Sequence, residues 1–292
     1  MWAETLASRP MRVGVIGGGL MGSGIAEVCA RSGVDVTIVE ADDGRVGAAR
    51  AAIAKSIGRA ARSGRLSQED HDAATERIAF TTALGDLEGA DIAIEAIVEN
   101  ENAKRDLFRH LDEVLPDATF LASNTSSVPI MKLGAETRQP ERVLGLHFFN
   151  PVPVLPLVEV VRSIMTGDEA VAEAHRFAEG TLGKSTIDSQ DRAGFVVNAL
   201  LVPYLLSSIR MYESGFASRD DIDEGMVQGC AHPKGPLALA DLIGLDTLLA
   251  VSESIHDEFR DPASVAPALL NRMVEAGLLG RKSGRGFYDY SS

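Results

Sequence analysis

Residues 12–22 read Arg12-Val-Gly-Val-Ile-Gly-Gly-Gly-Leu-Met-Gly22, a β-branched run that leads into a glycine-rich turn and then into a helical pattern. The turn fits G-x-G-x-x-G. Its first glycine permits a tight turn, its second lets a pyrophosphate approach the backbone, and its third lets helix and strand pack closely. Free N–H groups at the start of the helix can bind phosphate. This succession predicts a dinucleotide site, although a glycine-rich turn that binds nothing is the alternative. The predicted cofactor contacts are Gly17, Gly19, Leu20, Met21 and Gly22.

An acidic residue ends the next strand-like run. Glu40 stands 18 residues after Gly22 and follows Val34-Asp-Val-Thr-Ile-Val39. A carboxylate at this point can accept hydrogen bonds from both hydroxyls of a ribose and would repel a 2′-phosphate, which favours NAD over NADP. Arg45 lies close by and weakens that exclusion slightly. A solvated strand end is the other interpretation of Glu40.

Strand-like and helical stretches alternate from Met11 to about Ser189. Further strand-like runs lie at 91–94, 119–122, 143–146 and 157–161, and helical patterns lie at 22–31, 43–62, 102–115 and 169–182. Such alternation predicts an α/β domain with a doubly wound, mostly parallel sheet of the Rossmann type. From Asp191 onward the segments are rich in Leu, Ala, Ile and Met, which predicts an all-α second domain. We place the domains at residues 1–189 and 190–292.

Length and charge narrow the class of protein. The 292 residues suffice for two domains of the usual ~100–200 residues. Lys and Arg number 28 and Asp and Glu 42, and the net charge of −14 would repel a phosphate backbone, so we expect no nucleic-acid partner. The most apolar stretch, 195–211, is shorter than the ~20 residues of a membrane span. We therefore expect a buried helix, no membrane partner and a cytoplasmic location.

The cysteines and the first residues bear on compartment and metal binding. Cys29 and Cys230 lie in apolar, helix-like segments without the spacing of a metal site, which favours two buried, reduced thiols and no metal. The first ten residues contain Glu4 and no long apolar run. We interpret them as a frayed start rather than a signal peptide.

One histidine differs from the other five. His147 closes the apolar run 143–146, at a strand end that should face the cofactor crevice of a doubly wound sheet. Glu159 stands alone within the hydrophobic run 157–161, where an unpaired carboxylate would cost on the order of several kcal/mol. A carboxylate on one imidazole nitrogen orients the ring and raises its basicity, so the other nitrogen can take a hydroxyl proton while hydride leaves for nicotinamide. A buried structural pair, or two unrelated surface residues, are equally open at this point.

Two further polar features stand beside apolar segments. Ser123-Asn-Thr-Ser-Ser127 follows a strand-like run, so its hydroxyls should emerge at a carboxyl end of the sheet. Asn198 interrupts an apolar helical pattern, and a buried amide needs partners, of which a substrate carbonyl is one candidate. A local cap or turn for the serines, and a helix–helix hydrogen bond for Asn198, are the alternatives.

Taken together, these stretches resemble the L-3-hydroxyacyl-CoA dehydrogenase family, especially its short-chain 3-hydroxybutyryl-CoA dehydrogenases. The resemblance covers nearly the whole chain. It rests on the glycine turn and on seven further motifs: Glu95-Ala-Ile-Val-Glu-Asn100, Ser123-Asn-Thr-Ser-Ser127, His147-Phe-Phe-Asn-Pro-Val-Pro153, Leu157-Val-Glu159, Gly194-Phe-Val-Val-Asn198, His232-Pro-Lys-Gly-Pro236 and Lys282-Ser-Gly-Arg-Gly-Phe-Tyr288.

The resemblance implies roles at matching positions. It implies that His147 is the catalytic base and Glu159 its orienting carboxylate, and that Ser126 and Asn198 position the substrate oxygens. It also implies an active site in the cleft between a Rossmann-type domain and a helical domain that forms a homodimer. The cofactor contacts that it adds are Glu99, Lys104, Asn150 and Lys282.

A coenzyme A moiety is polyanionic and needs a local basic site on this acidic chain. Lys55, Arg59 and Arg62 fall at i, i+4 and i+7 of a helical pattern and so share one face, which we call the basic stripe. The stripe is the candidate for the CoA phosphates, and the resemblance implies that Ser56 contributes. A solvated helix face is the alternative.

The sequence thus predicts an NAD-dependent oxidoreductase that converts an L-3-hydroxyacyl-CoA to the 3-oxoacyl-CoA and back. Two alternatives keep the fold. One is a dehydrogenase of free hydroxy acids, of the L-gulonate or carnitine type, and the other is a non-catalytic NAD-binding protein.

Overall fold

A computed structural model describes residues 10–291. Of the first ten residues, which we interpreted as a frayed start, residues 1–9 therefore lie outside the described range. The chain divides into two compact units, Met1–Asp191 and Arg192–Ser292. Among residues 10–291, none of the helices combines the length and the apolar character that crossing a membrane requires.

The first unit is built on one eight-stranded sheet in the order β3-β2-β1-β4-β5-β6-β7-β8. Neighbouring strands run parallel except β6 and β7, which pair antiparallel. This confirms the predicted doubly wound, mostly parallel sheet. The strands are β1 (Arg12–Ile16), β2 (Asp35–Val39), β3 (Ile78–Thr81), β4 (Ile92–Glu95), β5 (Phe120–Ser123), β6 (Val143–Phe148), β7 (Leu157–Arg162) and β8 (Ser185–Gln190).

The chain reverses its direction of travel across the sheet at β1. β2 and β3 lie on one side of β1, whereas β4, β5 and β6 continue on the other. In open α/β sheets, ligands bind outside the carboxyl ends of the strands at such a switch point. The carboxyl ends of β1, β4, β5 and β6 therefore mark the edge at which a cofactor crevice is expected, and we call it the carboxyl edge.

The sequence pattern identified neither of the two edge strands, β3 and β8. β3 is only four residues long, and β8 reads Ser-Thr-Ile-Asp-Ser-Gln. An edge strand is solvated on one side and often carries polar residues, so its composition resembles that of a loop. The central strands are buried on both faces and gave the continuous apolar runs that the pattern detects.

Helices cover the sheet of the first unit. They are α1 (Leu20–Arg31), α2 (Asp43–Arg62), α3 (Gln68–Glu76), α4 (Glu101–Val114), α5 (Ile130–Gly134) and α6 (Asp168–His175), the last continuing as a π-helical segment over Arg176–Thr181. Side chains cap the start of three of them: Asp42 accepts from the N–H of Arg45, Ser67 from the N–H of Asp70, and Asn100 from the N–H of Ala103.

The second unit is helical, as predicted. Its helices are α7 (Val197–Glu213), α8 (Arg219–Cys230), α9 (Pro236–Ile243), α10 (Leu245–Phe259) and α11 (Ala268–Glu275). They enclose a separate apolar core that includes Leu205, Leu206 and Leu248. Two buried carboxylates tie down the end of the chain: Asp241 accepts from the N–H groups of Phe287 and Tyr288, and Asp223 from the hydroxyl of Tyr288.

Two predictions about burial are wrong in part. Only one face of the apolar stretch 195–211 is buried in the chain, because Leu200 is 74% exposed while Leu205 and Leu206 are fully covered. Cys29 is buried, and burial raises the pKa of its thiol to about 12. Cys230 is exposed, because it lies at the end of α8, whose sequence is largely polar.

Candidate active site

The glycine turn has the geometry that each glycine of its motif predicts. Gly17 has φ +93°, and a Cβ there would lie 2.7 Å from the carbonyl oxygen of Ala96. A Cβ at Gly22 would lie 1.7 Å from the carbonyl oxygen of Gly17. At Gly19, by contrast, a Cβ would meet no atom within 4 Å. The backbone at Gly19 is therefore open to a ligand, at the start of α1, where N–H groups favour phosphate. Leu20 is exposed and Met21 half-buried beside it.

Glu40 leans back onto this turn. Its Oε1 accepts from the N–H of Gly18 at 2.7 Å, and its Oε2 accepts from the N–H of Ala41 at 3.1 Å. A carboxylate offers about four acceptor sites, so the same group retains capacity for ribose hydroxyls. Arg45 forms an ion pair with Asp42 at 3.5 Å.

His147 and Glu159 meet as a buried pair. They face each other in the antiparallel register of β6 and β7, and His147 Nδ1 lies 2.6 Å from Glu159 Oε2. The Glu159 side chain is fully buried and the His147 side chain is 8% exposed. The ring of Phe149 packs edge-on against the imidazole, with 4.7 Å between centroids. The pair lies near the carboxyl end of β6, so the strand brings an oriented imidazole to the carboxyl edge of the sheet.

The turn that carries Ser126 follows β5 and is held by Glu99. Oε1 of Glu99 accepts from the N–H groups of Ser126 and Ser127, each at 3.1 Å, and from the hydroxyls of Thr125 and Ser127. Burial opposes ionisation of Glu99, but the Lys104 charge and these hydrogen bonds outweigh it and lower its pKa. Glu99 is therefore ionised at neutral pH, and it holds the turn by accepting these hydrogen bonds as a carboxylate.

A fully buried carboxylate lies behind Glu99 and was given no role by the sequence. Glu95 ends β4 and is 0% exposed, and its Oε1 accepts from Lys104 Nζ at 2.6 Å. Lys104 Nζ also lies 3.1 Å from Glu99 Oε2. The signal that could have identified Glu95 is the one that singled out Glu159, namely a lone acid within or directly after an apolar strand. The sequence places Glu95 after 91–94, and the same reasoning applies there.

Asparagines complete the carboxyl edge. Asn124 Oδ1 accepts from the N–H of Phe148 at 2.9 Å and so joins the Ser126 turn to the strand of His147. Asn150, a predicted cofactor contact, is exposed just beyond β6. Glu99, Ser126 and Asn150 thus lie in the loops that follow β4, β5 and β6, and Lys104 lies in the first turn of α4.

The basic stripe lies on one exposed face of α2. Lys55, Arg59 and Arg62 are exposed, and Ser56 beside them is half-buried. Within residues 10–291, none of the three cations forms an ion pair.

Two predicted site residues belong to the second unit. Asn198 lies in the first turn of α7 and is half-buried, so the expectation of a buried amide is wrong in degree. Lys282 Nζ donates to Asp246 Oδ2 at 2.6 Å. Within the described range, no three His, Cys, Asp or Glu side chains come together in a way that could hold a metal ion.

Comparison with known proteins covers both units. Residues 12–192 match the model of the NAD binding domain of 3-hydroxyacyl-CoA dehydrogenase, and residues 194–290 match the model of its C-terminal domain. A 3-hydroxybutyryl-CoA dehydrogenase of Mycobacterium tuberculosis is 56% identical over 281 residues, which are 96% of this chain and 98% of that protein.

Solved structures agree with this result. The crystal structure of M. tuberculosis FadB2 is similar with a TM-score of 0.95 and 55% identity, over 97% of this chain and 100% of that one. The (S)-3-hydroxybutyryl-CoA dehydrogenase of Ralstonia eutropha is similar with a TM-score of 0.91 and 43% identity, over the same shares of the two chains. The chain is an NAD-dependent oxidoreductase and belongs to the 3-hydroxyacyl-CoA dehydrogenase family.

Proposed function

We propose that the protein catalyses the reversible oxidation of the 3-hydroxyl group of an L-3-hydroxyacyl-CoA, with 3-hydroxybutyryl-CoA as the main substrate. The observation that carries the proposal is the buried His147–Glu159 pair, with 2.6 Å between Nδ1 and Oε2, at the carboxyl edge of a sheet that begins with a dinucleotide turn. The proteins that are similar over their full length support the substrate, because two of them are named for 3-hydroxybutyryl-CoA.

The residues present fit NAD. The open backbone at Gly19 suits a pyrophosphate, and Glu40 at the end of β2 suits the ribose hydroxyls and disfavours a 2′-phosphate. Glu99, Lys104, Asn150 and Lys282 remain the further proposed contacts of NAD. When bound, NAD supplies the acceptor for the hydride that leaves the 3-carbon.

His147 and Glu159 perform the proton chemistry. Nδ1 of His147 faces Glu159, so its Nε2 is the nitrogen that takes the 3-hydroxyl proton. Glu159 holds the ring in one orientation and stabilises the imidazolium that forms, as a buried carboxylate does for a catalytic histidine. In the reverse direction the same nitrogen returns the proton to the oxygen as the 3-oxo group is reduced.

Ser126 and Asn198 position the substrate. A hydroxyl and an amide can donate hydrogen bonds to the 3-oxygen and to the thioester carbonyl, which holds the 3-carbon toward the hydride acceptor. The basic stripe, with Ser56, is the proposed site of the CoA phosphates, because three exposed cations lie on one helix face of an acidic protein.

Domain roles and assembly belong to the same proposal. Residues 1–189 form the NAD-binding domain, which also carries Ser126 and the basic stripe, and residues 190–292 form the helical domain that contributes to substrate binding and forms the dimer. Leu200 is 74% and Phe216 80% exposed, and Met211 and Tyr212 are also open. Large apolar side chains on α7 and the turn after it support a second copy of the chain as their partner. A cytoplasmic location completes the proposal, and light scattering that finds a monomer at micromolar concentration would refute the dimer.

The experiment compares three candidate substrates under one assay. NADH absorbance is followed with acetoacetyl-CoA, with free acetoacetate and with dehydrocarnitine, each also with NADPH. We expect rapid loss of NADH absorbance with acetoacetyl-CoA alone and a much lower rate with NADPH. Turnover of a free acid at the same rate would favour the hydroxy-acid alternative, and no turnover of any substrate would favour a non-catalytic NAD-binding protein. A series of 3-oxoacyl-CoAs from C4 to C16 then tests the preference for the short chain.

A further inference from the structure

A chain of buried charges leads from the interior of the sheet to the turn of Ser126. Glu95 is 0% exposed, Lys104 is 1% exposed and Glu99 is 39% exposed, so the three side chains run outward from the core to the surface. We call Glu95, Lys104 and Glu99 the crevice cluster. It contains two acidic side chains and one lysine, and the other groups that donate to the two acids are neutral N–H and O–H groups.

Each hydrogen bond that Glu95 accepts comes from a part of the carboxyl edge. Its Oε1 accepts from Lys104 Nζ at 2.6 Å and from the N–H of Ile97 at 2.7 Å. Its Oε2 accepts from the hydroxyl of Ser123 at 2.5 Å. Ser123 Oγ in turn accepts from the N–H of Thr125 at 3.1 Å, one residue before Ser126.

The turn from Ser123 to Ser127 is thereby held from two sides. Glu95 fixes its beginning through Ser123, and Glu99 fixes its end through the N–H groups of Ser126 and Ser127. Ser and Thr side chains readily form alternative local hydrogen bonds with their own backbone, so a turn of this composition does not select one conformation by itself. Charge-assisted hydrogen bonds that two carboxylates accept are about twice as strong as neutral ones and can make that selection.

We propose that Glu95 is a positioning residue of the reaction, which holds the Ser123–Ser127 turn in the conformation that presents Ser126 to the substrate. It acts directly through Ser123 and indirectly through Lys104 and Glu99. The inference rests on the proposed function, because Ser126 matters only if it binds the substrate oxygen.

The test is a double-mutant cycle on kcat/KM for acetoacetyl-CoA at saturating NADH. The proteins are the wild type, Glu95→Gln, Ser126→Ala and the combination. Glu95→Gln keeps the size of the side chain but removes its charge. We expect kcat/KM to fall about tenfold or more in Glu95→Gln, within the ~100-fold that a misplacement of 1 Å can cost. In the Ser126→Ala background, Glu95→Gln should lower kcat/KM less than about twofold, because the hydroxyl that Glu95 positions is no longer present.

A matched control separates positioning from general damage. Asp112→Asn also converts a buried, ion-paired carboxylate of the same unit to an amide, on α4, the helix that carries Lys104. Its kcat/KM should stay within about twofold of the wild type when expressed per folded protein. Should Glu95→Gln not fold, Ser123→Ala carries the test, because it removes the link from Glu95 to the turn without changing any charge.

The outcomes divide clearly. Three results would overturn the inference. They are an unchanged kcat/KM in Glu95→Gln, a fold-loss from Glu95→Gln that is equally large in the Ser126→Ala background, and an equal fold-loss in Asp112→Asn. If Glu95→Gln does not fold, Ser123→Ala takes its place in the cycle. The inference is then overturned if Ser123→Ala has the kcat/KM of the wild type, or if its fold-loss in kcat/KM is equally large in the Ser126→Ala background. A wild-type protein that does not reduce acetoacetyl-CoA overturns the proposed function instead, and so the two failures can be told apart.

Discussion

Helix α4 has a buried ion-pair cluster near each of its ends, and the two differ in where their hydrogen bonds lead. The crevice cluster passes from Glu95 through Lys104 in the first turns of the helix to the partly exposed Glu99. In the last turns, Asp112 binds Arg142 at 2.9 Å and Arg138 at 2.6 Å. We call Asp112, Arg138 and Arg142 the far cluster.

The far cluster closes on the backbone. Arg142 Nη1 donates to the carbonyl oxygens of Leu115 and Pro116 at 2.8 and 2.9 Å, and Arg138 Nη2 donates to the carbonyl oxygen of Asp112 at 2.7 Å. These bonds join the end of α4 to the segments before β5 and β6. Similar chemistry therefore has two uses: at the carboxyl edge it holds the Ser123–Ser127 turn, which we propose faces the substrate, and at the far end it joins backbone segments of the chain. Changes at the first should lower activity, and changes at the second should lower stability.

The largest effect on activity is expected at the imidazole of the carboxyl edge. In His147→Gln, kcat should fall roughly 10²- to 10⁴-fold, because the proton acceptor is lost. The affinity for NADH, measured by fluorescence titration, and the melting temperature should change little. His110→Gln replaces an exposed histidine on α4 and serves as the control. Undiminished turnover in His147→Gln would remove this residue from the mechanism.

In the far cluster we expect the reverse, a loss of stability with activity retained. Asp112→Asn should lower the free energy of unfolding by about 3 kcal/mol, because it leaves the buried Arg142 without a counter-charge. Urea titration measures this change, and kcat per folded protein should be retained. A stable Asp112→Asn protein with low activity would show that the two clusters do not divide stability and activity in this way.

The dependence of the free energy of unfolding on pH, at acid pH, also tests the stabilising role of the far cluster. Burial opposes ionisation of Asp112, but hydrogen bonds from Arg138 and Arg142 outweigh it and hold its pKa below the usual value. A depressed pKa means that the stabilisation is complete above the ordinary Asp pKa of about 4 and is lost as pH falls through the folded-state value. The wild type should therefore lose stability below about pH 4 with a steeper slope than Asp112→Asn, by at most ~1.4 kcal/mol per pH unit. Equal slopes in urea titrations between pH 2.5 and pH 5 would contradict the assignment.

The contrast also shows what a single sequence can reveal. The glycine turn, the central strands and the lone polar residues His147 and Glu159 stand out, because burial between two helix layers demands continuous apolar runs that any polar residue interrupts. β3 and β8 are edge strands, and half-solvated strands carry no such signal. Glu95 was visible as an acid after an apolar run, but its partners Lys104 and Ser123 come from later elements that only the fold brings together.

Side-chain exposure was the least predictable property. The pattern indicated a buried stretch at 195–211, whereas Leu200 is exposed and only the opposite face of α7 packs in the core. Periodicity reports which residues are apolar but not whether their partner is the same chain or another copy. The same holds for the basic stripe: the spacing predicts its shared face, but only the structure shows that its cations form no ion pair with any of residues 10–291.

The basic stripe gives the smallest expected effect and extends the comparison to the surface. Lys55, Arg59 and Arg62 form no ion pair within the described residues, so, unlike the paired cations of the two clusters, they are available to a ligand. Replacing all three with Ala should raise KM for acetoacetyl-CoA about tenfold with kcat nearly unchanged, because a uniform binding interaction is lost. The effect should fade with added salt, since exposed charges are screened over ~10 Å at 0.1 M.

A control of equal charge makes this test specific. Arg109, Arg176 and Arg260 are also exposed, but each already pairs with a carboxylate of its own neighbourhood. Replacing these three with Ala changes the net charge by the same amount and should leave KM within about twofold. If both triple variants raise KM equally, the loss reflects the total charge of the protein. If neither does, the CoA phosphates bind elsewhere and the stripe is a solvated helix face.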